Sequence, residues 1–151
     1  MIQVWNRQRR IRIDSGAVKI FCGALAESLN QSGRAFSVIF VGTSAMRRLN
    51  SEWRNKDRAT DVLSFAYGGE LVDGLPFLGE IVIAPEIAVR QAAEYDAAAE
   101  SEIRKLIVHG LLHLMEYDHE TDGGEMIRIQ RRITRRRFFT AAPSLIRTQA
   151  A

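Results

Sequence analysis

The sequence predicts an α+β fold: a single domain with one mixed β-sheet of about four strands packed with about five helices. Short runs rich in β-forming residues alternate with segments whose apolar residues recur at the helical period. Hairpin-like links and longer crossover links both occur between them, which indicates a mixed sheet. The length, 151 residues, suits one domain with a substantial core. We place this domain at residues 1–140 and expect residues 141–151 to form a flexible tail.

The first elements are a strand, a helix and a second strand. Residues 2–5 alternate as in a short strand. Asp14 or Ser15 then caps a helix whose apolar residues follow the 3.6-residue period. The run at 35–41 is dense in β-forming residues and predicts a buried strand.

The middle of the chain predicts a second helix followed by a hairpin. Thr43 or Ser44 starts the helix. After a charged loop, residues 62–67 predict a strand, and residues 78–84 predict its hairpin partner. The Gly-rich segment 68–76 links these two strands.

Three further helices complete the predicted fold. Pro85 is suited to the first turn of one of them. An Ala-rich connection leads to a helix at about 101–115, and the last helix is expected at about 124–139.

The composition is that of an ordinary globular protein, with 46% hydrophobic and 26% charged residues. No apolar run approaches the roughly 20 residues that span a bilayer, and the first residues lack the apolar core of a secretory signal. Cys22 is the only cysteine, so no internal disulfide can form, and we expect a reducing, cytoplasmic location. The net charge of +3 favours an anionic partner without naming one.

All three histidines fall in one short run: His109, His113 and His119. The first two are four residues apart, so on a helix both imidazoles point from the same face. The third, just past a turn, can complete three vertices of a tetrahedral metal site. The fourth vertex is left for water or substrate, which is typical of catalytic rather than structural zinc.

The histidine spacing is also that of the metzincin proteases, but Gly110 stands where those enzymes have their glutamate. That glutamate is the general base of peptide hydrolysis, so its absence argues against a protease and favours phosphodiester cleavage. Gly110 itself has two interpretations: another backbone approaches the helix closely there, or the glycine is simply tolerated.

The histidine run, His-Gly-Leu-Leu-His-Leu followed by Tyr-Asp-His, resembles the H-G-x-L-H-L-x-G-Y-D-H signature of the YbeY family. Residues 60–65, Thr-Asp-Val-Leu-Ser-Phe, resemble a second signature, and residues 78–81, Leu-Gly-Glu-Ile, resemble the family's L-G-D-I strand start. The resemblance covers roughly residues 49–126.

The resemblance implies an α+β bacterial endoribonuclease, specific for single strands, that acts in rRNA maturation (16S 3′ end) and ribosome quality control. It implies one zinc per chain held by His109, His113 and His119, with Arg54 as a catalytic residue. The implied partner is RNA, in particular rRNA in ribosomal particles, with ribosomal or assembly proteins also implied.

The chain departs from the family pattern at two positions. Glu116 replaces a glycine that can take a positive φ to end the helix, so the turn is expected to differ locally. Glu80 replaces an aspartate in the strand start, so the resemblance leaves open whether this carboxylate has a role beside the metal site. Neither change removes a metal ligand.

Further candidates are basic and acidic residues. Arg54, Lys56 and Arg58 alternate and would face one way in an extended loop, either to bind phosphate or as a solvated charge run. Asp61 and Asp118 either cap turns, the interpretation we favour for Asp61, or orient a ligand imidazole.

The last predicted helix carries an arginine face, which either contacts the RNA backbone or is merely solvated. Its candidate RNA-binding residues are Arg128, Arg131, Arg132 and Arg135. No aromatic platform for base stacking is evident in the sequence.

Two other functions remain open at this stage. One is a non-catalytic ribosome-binding assembly factor with a structural metal site, and the other is a metal-dependent hydrolase of another substrate. A structural zinc normally has four protein ligands, commonly including cysteine, and Cys22 lies far from the histidines in sequence.

Overall fold

The computed structural model describes residues 1–147. Its strands and helices succeed one another as β1 (Ile2–Asn6), α1 (Ser15–Ser28), β2 (Ala35–Phe40), α2 (Thr43–Arg54), β3 (Val62–Ala66), β4 (Leu71–Val72), β5 (Leu75–Ile83), α3 (Pro85–Glu94), α4 (Ala99–Leu114), α5 (Glu125–Thr134) and α6 (Arg137–Thr140). The predicted α+β class with one mixed sheet is confirmed.

The sheet has the strand order β1-β2-β5-β3, and β3 is therefore an edge strand. β1, β2 and β5 run parallel, while β3 and the short β4 pair antiparallel with β5. The predicted hairpin partnership of β3 with β5 is confirmed. The sequence expectation missed β4, which lies within the Gly-rich link.

Each face of the sheet carries its own apolar cluster. On the inner face, Phe36, Val38 and Ile81 pack with residues of α1 and α4 in the main core. On the outer face, Ile39 and Val82 pack with Met46 of α2 in a smaller cluster. The inner face therefore anchors α4, the helix that carries two histidines.

Local signals set several helix boundaries. The Asp14 carboxylate accepts the Ala17 N–H at 3.0 Å and caps α1, and Pro85 opens α3, both as predicted. The last predicted helix is instead two helices, because the chain breaks at Arg135 and Arg136 between α5 and α6.

Residues 141–147, which we expected to be a loose tail, are packed against the domain. Leu145 is fully buried in the core, and Ile146 forms a β-bridge with Ile13. The guanidinium of Arg104 donates to the carbonyls of Ala142 and Pro143 at 3.3 and 3.2 Å. Burial and hydrogen bonds hold this segment, and the rest of the predicted tail lies outside the described residues.

Candidate metal centre

The helix α4 brings His109 and His113 together, as their spacing predicts. Their Nε2 atoms lie 3.0 Å apart, and their ring centroids lie 4.5 Å apart. Leu111, Leu112 and Leu114 on the same helix are buried and fix it against the sheet. Because the two Nε2 atoms lie so close together, both imidazoles can bind the same metal ion.

A tight turn after α4 carries the chain back toward this pair. Glu116 adopts a left-handed conformation with φ of 72°, and its N–H donates to the His113 carbonyl at 2.9 Å. The next N–H, of Tyr117, donates to the Leu112 carbonyl at 3.1 Å. This is the Schellman motif that a glycine usually makes, so the chain keeps the turn despite the glutamate.

His119 joins the pair through this turn. Its ring centroid lies 5.6 Å from that of His109 and 5.7 Å from that of His113. One ligand atom from each histidine lies within 4.8 Å of the others, so the three can hold a metal ion. His119 is exposed and the other two are half-buried, which leaves the group open to solvent on one side.

Hydrogen bonding and burial suit the two helical histidines to metal binding. His113 Nδ1 lies 3.0 Å from the Tyr117 carbonyl, and donation to that oxygen leaves Nε2 free to bind a metal. Burial lowers the pKa of His109, and the neighbouring His113 and His119 lower that pKa further. A metal binds the neutral imidazole, so this shift favours the ligand form.

Gly110 allows α4 to lie close to the sheet. A Cβ at this position would come within 2.5 Å of the Ile81 Cγ2, and Ile81 is fully buried. Of the two interpretations of Gly110, close approach is therefore correct, although the approaching group is a side chain of β5 rather than a backbone. This packing sets how close the helix segment with His109 and His113 lies to the sheet.

A cleft of about 350 Å³ lies beside the histidines, and Arg54 and Ser64 line it together with His109 and His113. Arg54 is the last residue of α2 rather than part of a free loop. Its guanidinium donates to the Ser64 carbonyl at 2.8 Å and lies 5.5 Å from the centroid of the Phe65 ring. The structure thus places a cation in the same cleft as the candidate metal ligands.

Other predicted residues lie outside this cleft. Within the described part of the chain, neither Lys56 nor Arg58 is among its lining residues. The Asp61 carboxylate accepts the Val62 N–H at 2.8 Å, as expected of a cap at the start of β3. Asp118 accepts the Glu120 N–H at 3.0 Å within its own turn.

The predicted arginine face forms a separate surface. A shallow depression of about 510 Å³ is lined by Arg128, Arg131, Arg132, Arg135 and Arg136. Because α5 ends at Thr134, this surface extends into the break between α5 and α6.

Two features of the site were missed at the sequence level. The Ser64 hydroxyl donates to the Gly110 carbonyl at 3.4 Å, which ties the edge strand to α4. Glu80 lies opposite Phe65 in the sheet, on the outer face, and its carboxylate accepts the Tyr67 hydroxyl at 3.1 Å. The alternation of Ser64 and Phe65 along β3 was the available signal.

The model of the family described as Endoribonuclease YbeY matches residues 3–137. The chain belongs to the YbeY family. The endoribonuclease YbeY of Thermodesulfovibrio yellowstonii is 38% identical over 138 residues, which cover 82% of this chain and 87% of that protein. The endoribonuclease YbeY of Finegoldia magna is 37% identical over 131 residues, or 84% of this chain and 86% of that one.

A solved structure has a similar fold. The solution structure of a Thermotoga maritima protein matches with a TM-score of 0.62 and 30% sequence identity, covering 87% of this chain and 85% of that one. Membership of the YbeY family confirms the predicted enzyme class, an endoribonuclease that hydrolyses phosphodiester bonds. Among residues 1–147, no helix is both long and apolar enough to cross a membrane.

Proposed function

We propose that this YbeY-family protein is a zinc-dependent endoribonuclease, specific for single strands, that matures rRNA (16S 3′ end) and takes part in ribosome quality control in the cytoplasm. The observation that carries the proposal is the meeting of His109, His113 and His119 beside a cleft that also contains Arg54.

The donor set fits zinc. Three imidazoles with an open position are a common ligand set of catalytic zinc, and His113 is already oriented by its bond to the Tyr117 carbonyl. When bound, zinc supplies Lewis-acid polarisation of a phosphate oxygen and activation of water.

Arg54 is the group we assign to hold the scissile phosphate. A guanidinium has five N–H donors, so the bond to the Ser64 carbonyl leaves others for phosphate oxygens. The Phe65 ring beneath the guanidinium restricts its position. The fixed cation would stabilise the negative charge that grows on the phosphate during cleavage.

Further basic residues are proposed to contact RNA phosphates outside the cleft. They are Lys56 and Arg58 in the loop after α2, and Arg128, Arg131, Arg132 and Arg135 on the arginine face. Such contacts would add affinity without reading sequence.

The metal ligands are tested by elemental analysis. We expect one zinc per purified chain and loss of stoichiometric zinc in His113→Ala, since that variant removes a ligand. Full zinc in the variant would contradict the ligand assignment. The same analysis identifies the metal.

The role of Arg54 is tested by Arg54→Ala in a cleavage assay on single-stranded and structured RNA. We expect zinc content and melting temperature to stay nearly unchanged, because the side chain is exposed, and cleavage to fall by about 100-fold. Arg48, another exposed arginine of α2, provides the matched control Arg48→Ala. If Arg54→Ala cleaves RNA at the wild-type rate, Arg54 has no role in catalysis. If the zinc-loaded wild-type protein cleaves no RNA, the result favours a non-catalytic assembly factor.

A further inference from the structure

A second cleft, of about 390 Å³, lies on the outer face of the sheet. Its lining includes the apolar residues Ile39, Val41 and Val82, and also Trp53, Phe65 and Tyr67. The three aliphatic residues are at least nine-tenths buried, whereas 61% of Trp53 and 40% of Tyr67 are exposed. The cleft thus combines a packed apolar floor with open aromatic walls.

Neighbouring residues hold the aromatic rings in place. The Trp53 ring meets Phe65 edge-on, with centroids 6.1 Å apart and an interplanar angle of 72°. Tyr67 meets Phe77 edge-on at 5.2 Å, and its hydroxyl donates to Glu80. An exposed ring held in this way offers a flat apolar surface at little further entropic cost.

This aromatic cleft and the histidine cleft lie on opposite sides of the edge strand β3 and share the lining residue Ala66. Along β3, Ser64 faces the histidine side while Phe65 faces the aromatic side. The Arg54 guanidinium joins the two sides, because it donates to the Ser64 carbonyl and lies over the Phe65 ring. A strand that crosses this edge can therefore occupy both clefts at once.

The charges in the aromatic cleft favour a base over a phosphate. Glu80 lines it and carries a carboxylate, which accepts hydrogen bonds and repels a phosphate. Base edges offer N–H donors, and base faces stack on tryptophan and tyrosine. Arg7, which also lines the cleft, offers a cation for the backbone that leads away from the base.

We propose that the aromatic cleft is a subsite for one unpaired nucleobase of the substrate RNA, stacked on Trp53, while a neighbouring phosphate lies in the histidine cleft. This inference rests on the proposed function. It supplies the stacking platform that the sequence did not reveal, because its rings come from α2 and β3 and meet only in the fold. A base that is paired inside an RNA duplex cannot reach the subsite, so the subsite also favours single-stranded RNA.

The first test is single-turnover cleavage of a short unstructured RNA at rising concentrations of zinc-loaded protein. For Trp53→Ala we expect the half-saturating protein concentration to rise roughly 5- to 150-fold, the range for one lost base stack. The rate at saturation should fall much less than the affinity does, because the metal ligands and the Arg54 side chain are retained. Trp53→Phe should restore most of the affinity, and Tyr95→Ala, at an aromatic residue that is 81% exposed at the end of α3, is the matched control.

The second test uses wild-type protein and Trp53→Ala, each with a series of RNAs that lack one base. We expect one position near the cleavage site to weaken binding to the extent seen for Trp53→Ala, and the two losses not to add. Full additivity, or no sensitive position, would overturn the subsite while leaving the cleavage activity in place. Unchanged RNA kinetics in Trp53→Ala with weaker binding to ribosomal particles would instead assign the cleft to a protein partner, and a wild type that neither binds nor cleaves RNA would overturn both proposals.

Discussion

Replacing Glu116 by glycine should stabilise the protein, because the turn that delivers His119 is built around a residue poorly suited to it. Three helices end in the same hydrogen-bonded motif, with Asn30, Asp96 and Glu116 in the left-handed conformation at φ of 58°, 53° and 72°. Asn and Asp visit this conformation readily, whereas other L-residues do so at a cost of roughly 1–2 kcal/mol.

The expected gain follows from two opposing effects. Glu116→Gly relieves that strain but adds about 0.4–1 kcal/mol of chain entropy to the unfolded state, so the net gain is about 1 kcal/mol. The Glu116 side chain is exposed, so little packing is lost. At this chain length the gain corresponds to a rise of about 2–4 °C in melting temperature.

The gain is measured by urea denaturation of the metal-free protein, which separates turn strain from metal binding. The control is Asn30→Gly, which changes the same motif at the end of α1 and should give no gain in stability, because the entropy cost is the same and asparagine is little strained in this conformation. Zinc content should stay at one per chain in both variants. An equal gain in both, or no gain in Glu116→Gly, would refute the argument from left-handed strain.

Three other predictions concern the arginine face, the strand β5 and the buried thiol. If the arginine face contacts RNA, replacing Arg131 and Arg135 together by Gln should reduce the slope of log affinity against log salt by roughly 0.7 per lost contact, whereas an unchanged slope means a solvated surface. Gly79→Ala should cost about 3 kcal/mol or more in urea denaturation, because the new Cβ would overlap the Phe65 carbonyl oxygen at a φ of 146°, and near-native stability would contradict this close approach. Burial raises the pKa of the Cys22 thiol to about 12. Between pH 9 and 12 the thiol therefore ionises only in the unfolded protein, so the contribution of Cys22 to the free energy of unfolding falls as pH rises through that window. Cys22 should accordingly resist a thiol reagent at pH 8 until the protein unfolds, and rapid labelling of folded protein would disprove its burial.

Local sequence rules were enough to predict the central part of the site. The four-residue spacing of His109 and His113 acts within one helix, where 3.6 residues per turn place both side chains on the same face. The caps at Asp14 and Pro85 are equally local, since they depend on the hydrogen bonds and backbone angles of one helix turn. Such signals are independent of the rest of the fold.

What lies around the histidines was decided by contacts between residues far apart in the chain. The pairing of β3 at the sheet edge brings Ser64 to α4 and to Arg54, and it sends Phe65 to Trp53 on the other face. No periodicity within a segment encodes which strand lies at an edge.

The end of the described chain is likewise set by contacts with distant residues and not by local sequence. Residues 141–147 lack a helix or strand pattern, yet Leu145 is buried and Arg104 holds their carbonyls. The sequence by itself determined which residues can bind a metal and which helix presents them. The family resemblance named Arg54, but only the tertiary structure decided its place beside the histidines and the aromatic surface across the edge strand, because both depend on strand order and on burial between distant segments.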